Sequence, residues 1–241
     1  MDYRYCEPPV PTLARWRKLY SDHRGASVVR ALEYERLAQE TLTGRVLDVG
    51  GGKKAKYVRQ LPSDLEIESV NIDPDIGPTH LIEPGAPFPV PDASFDHVIC
   101  LNTLEHIYDP LPVMAEMHRV LKPGGRAIIT VPWIFRIHGH PDDFLRATPS
   151  WWRASAERAG FGRLQLTPLV WGRSTSAGSI SGHGALGRRL RFHLSHLMDW
   201  LYASIAFRGP TMSGSRAERI CAVSVGWYIV ATRGSEAQAQ T

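Results

Sequence analysis

The segment "VLDVGGGKKAKYV", residues 46–58, runs from a short apolar strand into three consecutive glycines. A glycine turn after a strand lets the backbone approach a ligand closely, because no β-carbon stands in the way. Asp48 ends this strand and Asp73 ends the next one, 25 residues later. A carboxylate at the second position can accept hydrogen bonds from both hydroxyls of a ribose. Together the two features predict a site for an adenosine-type cofactor.

The spacing of the glycines leaves the kind of nucleotide open. Gly50, Gly52 and Ala55 fit the looser form of the dinucleotide pattern G-x-G-x-x-G/A. A P-loop is excluded, because the sequence contains no G-x-x-x-x-G-K-[ST]. The rest of the chain must therefore decide between the remaining cofactors.

Strands and helices alternate outward from the glycine turn. The segments "RVLDVG", "IESVNID", "DHVICLN" and "RAIITVP" read as apolar strands, and residues 27–42 and 110–121 have apolar side chains at helical spacing. A short helix is predicted for "AKYVRQL" (residues 55–61). This alternation predicts a parallel sheet that is covered by helices on both faces.

The second half of the chain has a different rhythm. Residues 133–147 have no clear period and are predicted to form a long functional loop, after which Thr148 and Pro149 begin a helix that Gly160 ends. A strand follows near residues 164–170, and the glycine- and serine-rich residues 172–187 are predicted to form a mobile linker or lid. A helix over residues 190–207 and a long strand over residues 221–233 complete the prediction.

The segment "FPVPDASFDHVICLNTLEHIYDPLPVMAEMHRVLKPGGRAIITVP", residues 88–132, contains "SFD", "LEH" and "RVLKPGG" in that order. Together with "VLDVGGG" and "NIDPD", it resembles the class I S-adenosylmethionine-dependent methyltransferases, in particular the type 11 group. The resemblance covers mainly residues 44–132. It implies an α/β fold: a Rossmann-like three-layer sandwich with a mostly parallel seven-stranded sheet, an antiparallel last strand and a helical insertion.

We therefore expect a single methyltransferase domain over residues 1–241. Its parts would be an N-terminal cap helix region (1–43), the cofactor-binding core (44–171), a helical lid or insertion (172–219) and the final strand (220–233).

The resemblance also implies which residues hold S-adenosylmethionine. The glycine turn would lie against the methionine part of the cofactor, Asp73 would bind the ribose hydroxyls, and the segment after "DHVICL" would lie beside the sulfonium. The matching positions are Asp48, Gly50, Gly51, Gly52, Asp73, Pro74, Glu83, Asn102 and Leu104. Two departures stand out: Lys54 replaces a usual third glycine, and Pro84 lacks the N–H that would reach adenine beside Glu83.

Methyl transfer to a hydroxyl requires a base, and histidine is suited to that role at neutral pH. The candidate catalytic residues are His106, His138, His140 and Asp143, which fall where the strands should end. Asp143 would orient an imidazole and Arg146 would bind an anionic or sugar acceptor, with a pairing of Arg146 and an aspartate as the structural alternative. A divalent ion at His138, His140 and Asp143 is conceivable, but these ligands crowd into one loop, so no metal is expected.

The segment "HGHPDDFLRATPSWWRASAERAGF", residues 138–161, resembles a type 11 variant that is frequent in bacterial enzymes of cell-surface glycans. It favours O-methylation of a small molecule of the sugar or glycan type. Methylation of a quinone or lipid-like ring is an alternative acceptor chemistry. A binding module that keeps the fold without catalysis is the alternative from a different class.

The charge distribution bears on partners and location. Of the 28 basic residues, twelve arginines fall in residues 133–219 against five acids there, which favours a solvated basic surface, an anionic substrate or an anionic membrane surface. The helix that starts with Arg188, Arg189 and Arg191 is a candidate for peripheral membrane contact through residues 188–207. No nucleic-acid partner is expected. Three distant cysteines and the absence of a signal pattern favour a cytoplasmic protein, with the inner membrane face as an alternative.

Overall fold

The structure is a computed structural model that describes residues 1–139, 142–181 and 188–235, with only the backbone of residues 181, 188 and 189. Within these residues the strands are β1 Asp2–Tyr5, β2 Arg45–Val49, β3 Glu66–Asn71, β4 His80–Leu81, β5 Phe95–Leu101, β6 Leu121–Pro132, β7 Phe161–Leu169 and β8 Gly226–Arg233. They form one eight-stranded sheet in the order β1-β7-β8-β6-β5-β2-β3-β4. Strand β8 is antiparallel to β6 and β7, and the other pairs are parallel.

Helices of this part of the chain cover both faces of the sheet. They are α1 Leu13–Asp22, α2 Val28–Leu37, α3 Leu111–Val120, α4 Pro149–Arg158, α5 Arg173–Ser181, α6 Arg188–Ala206 and α7 Gly214–Cys221. Ser27 and Thr148 cap α2 and α4 through their hydroxyl oxygens, as expected of N-cap residues. Among the described residues, no helix combines the length and the apolarity that crossing a membrane requires.

Two apolar layers lie on opposite sides of the central strands. Val98 of β5 packs in the layer that contains Met117 of α3 and Trp152 of α4. Its neighbour Ile99 packs in the other layer, with Leu32 of α2. Because successive residues of a strand point to opposite faces, an apolar run such as β5 must be covered on both sides. The predicted three-layer Rossmann-like fold is confirmed.

The sheet has one strand more than the predicted seven. Strand β1 pairs in parallel with β7, with Tyr3 opposite Leu164, and the two-residue β4 pairs with β3 at the other edge. Both are edge strands, and neither carries the apolar run that marks a central strand. Their existence depends on pairing with the neighbouring strand and not on their own sequence.

The predicted linker over residues 172–187 is wrong for its first half, because residues 173–181 form α5. The carboxylate of Asp199, in α6, accepts the backbone N–H groups of Ser174 at 3.0 Å and Thr175 at 2.8 Å. A β-carbon at Gly172 would lie 2.3 Å from that carboxylate carbon. A side chain 25 residues away therefore caps this helix, which local composition does not reveal.

One further segment differs from the prediction, and another takes a form that the sequence left open. Residues 221–225 are not strand: α7 ends at Cys221, and β8 begins only at Gly226. The predicted short helix is present as a 3₁₀ helix over residues 56–60. Turn hydrogen bonds hold both segments, because Val223 N–H bonds to the Ile220 carbonyl at 3.1 Å and Val58 N–H to the Ala55 carbonyl at 3.2 Å.

Candidate active site

A buried carboxylate supports the glycine turn from inside the protein. Asp48 is 1% exposed, and the hydroxyl of Tyr57 lies 2.7 Å from each of its carboxylate oxygens and donates to them. Burial raises the pKa of Asp48 to about 7, while the hydrogen bond from Tyr57 acts in the opposite direction. Asp48 therefore fixes the shape of the turn, and its carboxylate is not open to solvent.

Protein atoms occupy the space that β-carbons would need in the turn. Gly50 has a φ of +84°, which an L side chain rarely adopts. A β-carbon at Gly51 would lie 1.9 Å from the Asp48 carboxylate, and one at Gly52 would lie 2.6 Å from the Ile76 carbonyl oxygen. We expected these glycines to make room for a ligand. Instead, glycine is needed at these positions because the turn packs directly on the Asp48 carboxylate and on the Ile76 carbonyl.

The carboxyl end of β3 lies beside this turn. The Asn71 amide donates to the Gly50 carbonyl at 2.8 Å and to the Gly51 carbonyl at 3.2 Å. Asp73 follows, half-buried, and its Oδ1 accepts the N–H of Asp75 at 2.8 Å. Since β2 and β3 are parallel neighbours, the turn and Asp73 lie at the same edge of the sheet. This is the arrangement that a ribose-binding carboxylate requires.

Three further candidate positions are at the surface. Pro74 begins a 3₁₀ helix and is exposed, Glu83 is exposed after β4, and the side chain of Lys54 is exposed at the turn. A ligand at this edge could therefore reach Pro74 and Glu83. Lys54 does not close the turn, because its side chain points to solvent.

The segment after β5 turns mostly inward. Leu104 is fully buried in the core, so only its backbone is available to a ligand at this edge. Asn102 has a φ of +50°, and its amide donates to Thr130 Oγ1 at 3.0 Å and to the carboxylate of Glu33. The expected contacts of Asn102 and Leu104 with a cofactor are thus limited to backbone atoms in this conformation.

Glu33 of α2 joins the ends of β5 and β6. It is fully buried, and it accepts a hydrogen bond from the Thr130 hydroxyl at 2.6 Å, a second from Asn102 and an ion-pair contact from Arg30 at 3.0 Å. Sequence analysis missed this residue. An acid on the apolar side of a predicted helix was the available signal, because a buried carboxylate must find partners.

The loop after β6 is organised by an aspartate. Residues 133–139 and 142–148 have no helix or strand, as predicted. The Arg146 guanidinium donates two hydrogen bonds of 2.5 and 2.6 Å to the Asp143 carboxylate, and the backbone N–H of His138 donates a third at 2.9 Å. Partial burial acts to raise the pKa of Asp143, but these donors lower it to about 2. Arg146 is therefore paired with an aspartate of its own loop, which was the alternative to binding an acceptor.

Glu105, His106 and His138 converge at this edge, with one ligand-type atom from each lying within 4.8 Å of the others. Glu105 Oε1 is 3.7 Å from His106 Nε2 and 4.0 Å from His138 Nε2. Burial raises the pKa of Glu105 to about 8, and burial lowers the pKa of His138 below its ordinary value. The lowered pKa favours the neutral imidazole of His138, which can accept a proton.

The structure brings together His106, His138 and Asp143, three of the four predicted catalytic residues. Asp143 contacts His138 on the side away from Glu105, with its Oδ2 3.3 Å from Nδ1. The fourth, His140, lies outside the described residues. Sequence analysis missed Glu105 although it stands in the quoted "LEH", because its burial depends on the loop folding over it.

Residues 47–129 match the sequence model of the type 11 "Methyltransferase domain" family. Over residues 47–129 the chain therefore matches a class I methyltransferase domain of the type 11 group. Methyltransferase domains of this group depend on S-adenosylmethionine, and the residues of this one fit that cofactor: a fixed turn after β2 lies beside an accessible carboxylate, Asp73, after β3. The polypeptide matched by the family model ends before the loop that carries His138 and Asp143.

A relative from Mycolicibacterium gilvum, described as an uncharacterized methyltransferase, is 32% identical over 109 residues. The match covers 39% of this chain and 42% of that protein, so it spans less than half of the length of either.

Solved structures with the same fold are more distant in sequence. A methyltransferase from Archaeoglobus fulgidus has a TM-score of 0.55 at 14% identity, covering 90% of this chain and 99% of that one. Phosphoethanolamine N-methyltransferase 2 from Haemonchus contortus, in complex with S-adenosylhomocysteine, has a TM-score of 0.52 at 17% identity, covering 85% of this chain and 52% of that one. These likenesses show the methyltransferase fold.

Proposed function

We propose that this protein transfers the methyl group of S-adenosylmethionine to a hydroxyl oxygen of a small-molecule acceptor of the sugar or glycan type. The observation that carries the proposal is the convergence of His106, His138 and Glu105 at the carboxyl edge of the sheet. Open α/β sheets bind their ligands at this edge. The histidine pair lies on the segments that follow β5 and β6, whereas the glycine turn and Asp73 follow β2 and β3.

The cofactor half of the site is proposed to consist of the glycine turn and its neighbours. S-adenosylmethionine, when bound, supplies a methyl group made electrophilic by the sulfonium. Asp73 would accept the ribose hydroxyls, Pro74 and Glu83 would flank the adenine, and the backbone at Asn102 and Leu104 would border the methyl group. Asp48 acts indirectly, because Tyr57 holds it beneath Gly51.

The acceptor half is proposed to activate the hydroxyl. The acceptor oxygen forms the new bond to the methyl carbon, the carbon–sulfur bond breaks with its electron pair going to sulfur, and the hydroxyl proton passes to Nε2 of His138. His138 is the more accessible imidazole, with 36% of its side chain exposed against 17% for His106. Asp143 and Arg146 hold the loop that presents it, so in this conformation Arg146 positions His138 and does not bind the acceptor directly.

A polar acceptor fits this half better than an apolar ring. The cluster presents two imidazoles, a carboxylate and the Asp143–Arg146 pair, and a hydroxyl-rich molecule offers hydrogen bonds to such groups. The resemblance of residues 138–161 to glycan-linked relatives supports the same class. A panel of sugars and nucleotide sugars, compared with quinols, checks it by the rate of S-adenosylhomocysteine formation, and turnover of quinols alone would refute the sugar class.

Cofactor binding is tested by calorimetric titration with S-adenosylmethionine. We expect the parent chain to bind it, and Asp73→Ala to weaken binding at least about tenfold, since two hydrogen bonds to a charged group are lost. Asp75→Ala is the matched control, because Asp75 is exposed in the same turn. Absence of binding by the parent chain would end the methyltransferase proposal.

The base is tested by kinetics on an accepted substrate. His138→Ala should lower kcat about 100-fold or more while the affinity for S-adenosylmethionine stays unchanged. His80→Ala is the control, because His80 of β4 pairs with Glu68 of β3 and lies outside the cluster of His106, His138 and Glu105. Full turnover by the double variant of His106 and His138 would contradict the proposed role.

We further propose that the outer face of α6 lies on an anionic lipid surface. Large apolar side chains on this face are 46% to 85% exposed. They are Leu190, Leu194, Met198, Leu201, Tyr202 and Ile205. The one acid of α6, Asp199, is buried under α5, whereas Arg191 is exposed; Arg188 and Arg189 have side chains outside the described residues. An apolar stripe with basic residues and no exposed acid suits anionic headgroups.

Liposome flotation tests this surface. The parent chain should float with vesicles that contain phosphatidylglycerol and less with neutral vesicles, and Met198→Asp should reduce flotation. Leu81→Asp is the matched control, because Leu81 is 59% exposed at the far edge of the sheet. Equal flotation of both variants, or a dimer that Met198→Asp dissociates, would contradict the lipid assignment.

A further inference from the structure

We propose that Glu105, His106 and His138 form a binding site for one divalent first-row transition-metal ion. Two imidazole nitrogens and one carboxylate oxygen are a ligand set that such ions favour, with further positions left open for a bound molecule. The three residues come from two segments: Glu105 and His106 from the 3₁₀ helix after β5, and His138 from the loop after β6.

The ring of His106 is oriented as a metal ligand would be. Its Nδ1 lies 2.5 Å from the backbone carbonyl oxygen of Asp142. A carbonyl oxygen only accepts, so Nδ1 carries the proton and donates it. Nε2 is then unprotonated, and it is this nitrogen that faces Glu105. Metal-bound histidines usually donate their second N–H to a carbonyl or carboxylate in the same way.

The ring of His138 has the same arrangement. Its Nδ1 lies 3.3 Å from the backbone carbonyl oxygen of Arg136 and 3.3 Å from Oδ2 of Asp143. Both are acceptors, whereas Nη2 of Arg146, a donor, lies farther away at 3.4 Å. The two nearer acceptors favour a proton on Nδ1 and the lone pair on Nε2. Nε2 also faces Glu105. The Arg146 guanidinium fixes Asp143 in this position with two hydrogen bonds.

Glu105 supplies the independent observation. It is 1% exposed, and among the described residues neither of its carboxylate oxygens has a hydrogen-bond partner. A buried carboxylate without a donor is costly. Two nitrogen lone pairs and a carboxylate that point at one another share an electron-rich space, which a cation between them would stabilise.

The distances and the surrounding charges are compatible with an ion. Ligand atoms around a tetrahedral zinc lie about 3.4 Å apart for bonds of about 2.1 Å, whereas Glu105 Oε1 is 3.7 and 4.0 Å from the two nitrogens. Since the three ligand atoms lie within 4.8 Å of one another, a contraction of at most about 1.4 Å would complete the site. The nearby cations do not oppose it strongly, because Arg30 is paired with Glu33 and Arg146 with Asp143.

The role of the ion rests on the proposed function, but its binding does not. An acceptor hydroxyl bound to the ion would lose its proton more readily, because the positive charge stabilises the alkoxide. The proton would pass to solvent water, and His138 would act as a ligand in place of a base. The methyl transfer itself, with the carbon–sulfur electron pair going to sulfur, is unchanged.

Titration of the chelator-treated full chain with zinc chloride, without cofactor or acceptor, tests the site by calorimetry and by the shift in thermal unfolding. We expect one ion per chain, and a loss of affinity of at least about tenfold in Glu105→Gln. Glu68→Gln is the matched control, because Glu68 also pairs with a histidine, His80, and it should bind zinc as the parent does. His138→Gln, in the loop, provides the same test should Glu105→Gln not fold.

No zinc binding by the parent, or equal affinity in Glu105→Gln or His138→Gln and the control, would overturn the metal site. A parallel titration with S-adenosylmethionine separates the two proposals. Zinc binding without cofactor binding would remove the methyltransferase proposal and keep the metal site. Cofactor binding without zinc binding would remove the metal site and keep the methyltransferase proposal, with His138 as the base.

Discussion

Glu33 and Glu105 are two buried glutamates near the carboxyl ends of β5 and β6. They differ in the hydrogen-bond donors around them. Glu33 has three partners, Arg30, Asn102 and Thr130. Glu105 has no hydrogen-bond donor among the described residues and faces two imidazole nitrogens. Burial of an ionised group is costly unless donors or cations compensate. Glu33 therefore contributes to the fold, whereas Glu105 marks a place where a proton or a ligand is held.

The same difference separates the two halves of the site. In the cofactor half, Tyr57 binds Asp48 and Asn71 binds the carbonyls of Gly50 and Gly51, so the turn is fixed before any ligand arrives. In the acceptor half, the fixed part is the Asp143–Arg146 pair, and Nε2 of His106 and Nε2 of His138 both face Glu105. Fixed supports behind free reactive atoms are what a preorganised site requires.

The largest expected effect is on stability at Glu33. Glu33→Gln should lower the free energy of unfolding by about 3 kcal/mol, because it leaves Arg30 unpaired and places an amide donor against donors. Glu105→Gln, the same substitution, should change it by less than about 1 kcal/mol or increase it, since no donor is lost. Urea unfolding of chelator-treated protein checks both. A comparable loss in both variants would mean that the two glutamates do not differ in the way proposed.

A smaller effect is expected at Tyr57. Tyr57→Phe removes the donor to Asp48 and should cost about 2 kcal/mol, the usual penalty for a buried carboxylate that loses its hydrogen bond. Tyr20→Phe is the control, because Tyr20 is 48% exposed, and it should leave the unfolding curve unchanged. Equal stabilities of the two variants would show that the turn does not depend on this hydrogen bond.

A third effect is a pH dependence, which per pH unit is smaller than either of these losses. Burial raises the pKa of Asp48 from 3.8 to about 7, so the folded chain keeps a proton that the unfolded chain releases between these values. The resulting stabilisation is complete below about pH 4 and is lost as the pH rises toward 7, with a slope of at most about 1.4 kcal/mol per pH unit. Asp48→Asn should lack this contribution. Parallel unfolding curves of parent and variant from pH 4 to 7 would contradict the raised pKa.

Much of the cofactor half could be predicted from the sequence. The strands that lead to Asp48 and Asp73 follow from the pattern of neighbouring residues. The helix cap at Thr148, outside this half, follows from a local pattern as well. The acceptor half was only partly predictable. His106 and His138 were found because histidine is the side chain that suits a base at neutral pH, but Glu105 was missed, since its burial depends on the loop after β6, which is distant in the chain.

The amino-acid sequence by itself determined the alternation of strands and helices, the glycine turn and the family motifs, because these follow from neighbouring residues and their periodicity. Only the tertiary structure decided that β1 joins the sheet, that Asp199 caps α5, and that Glu105 meets His106 and His138. The physical reason is the same in each case. These features arise when groups far apart in the chain satisfy, or leave unsatisfied, each other's hydrogen bonds and charges in a space without water.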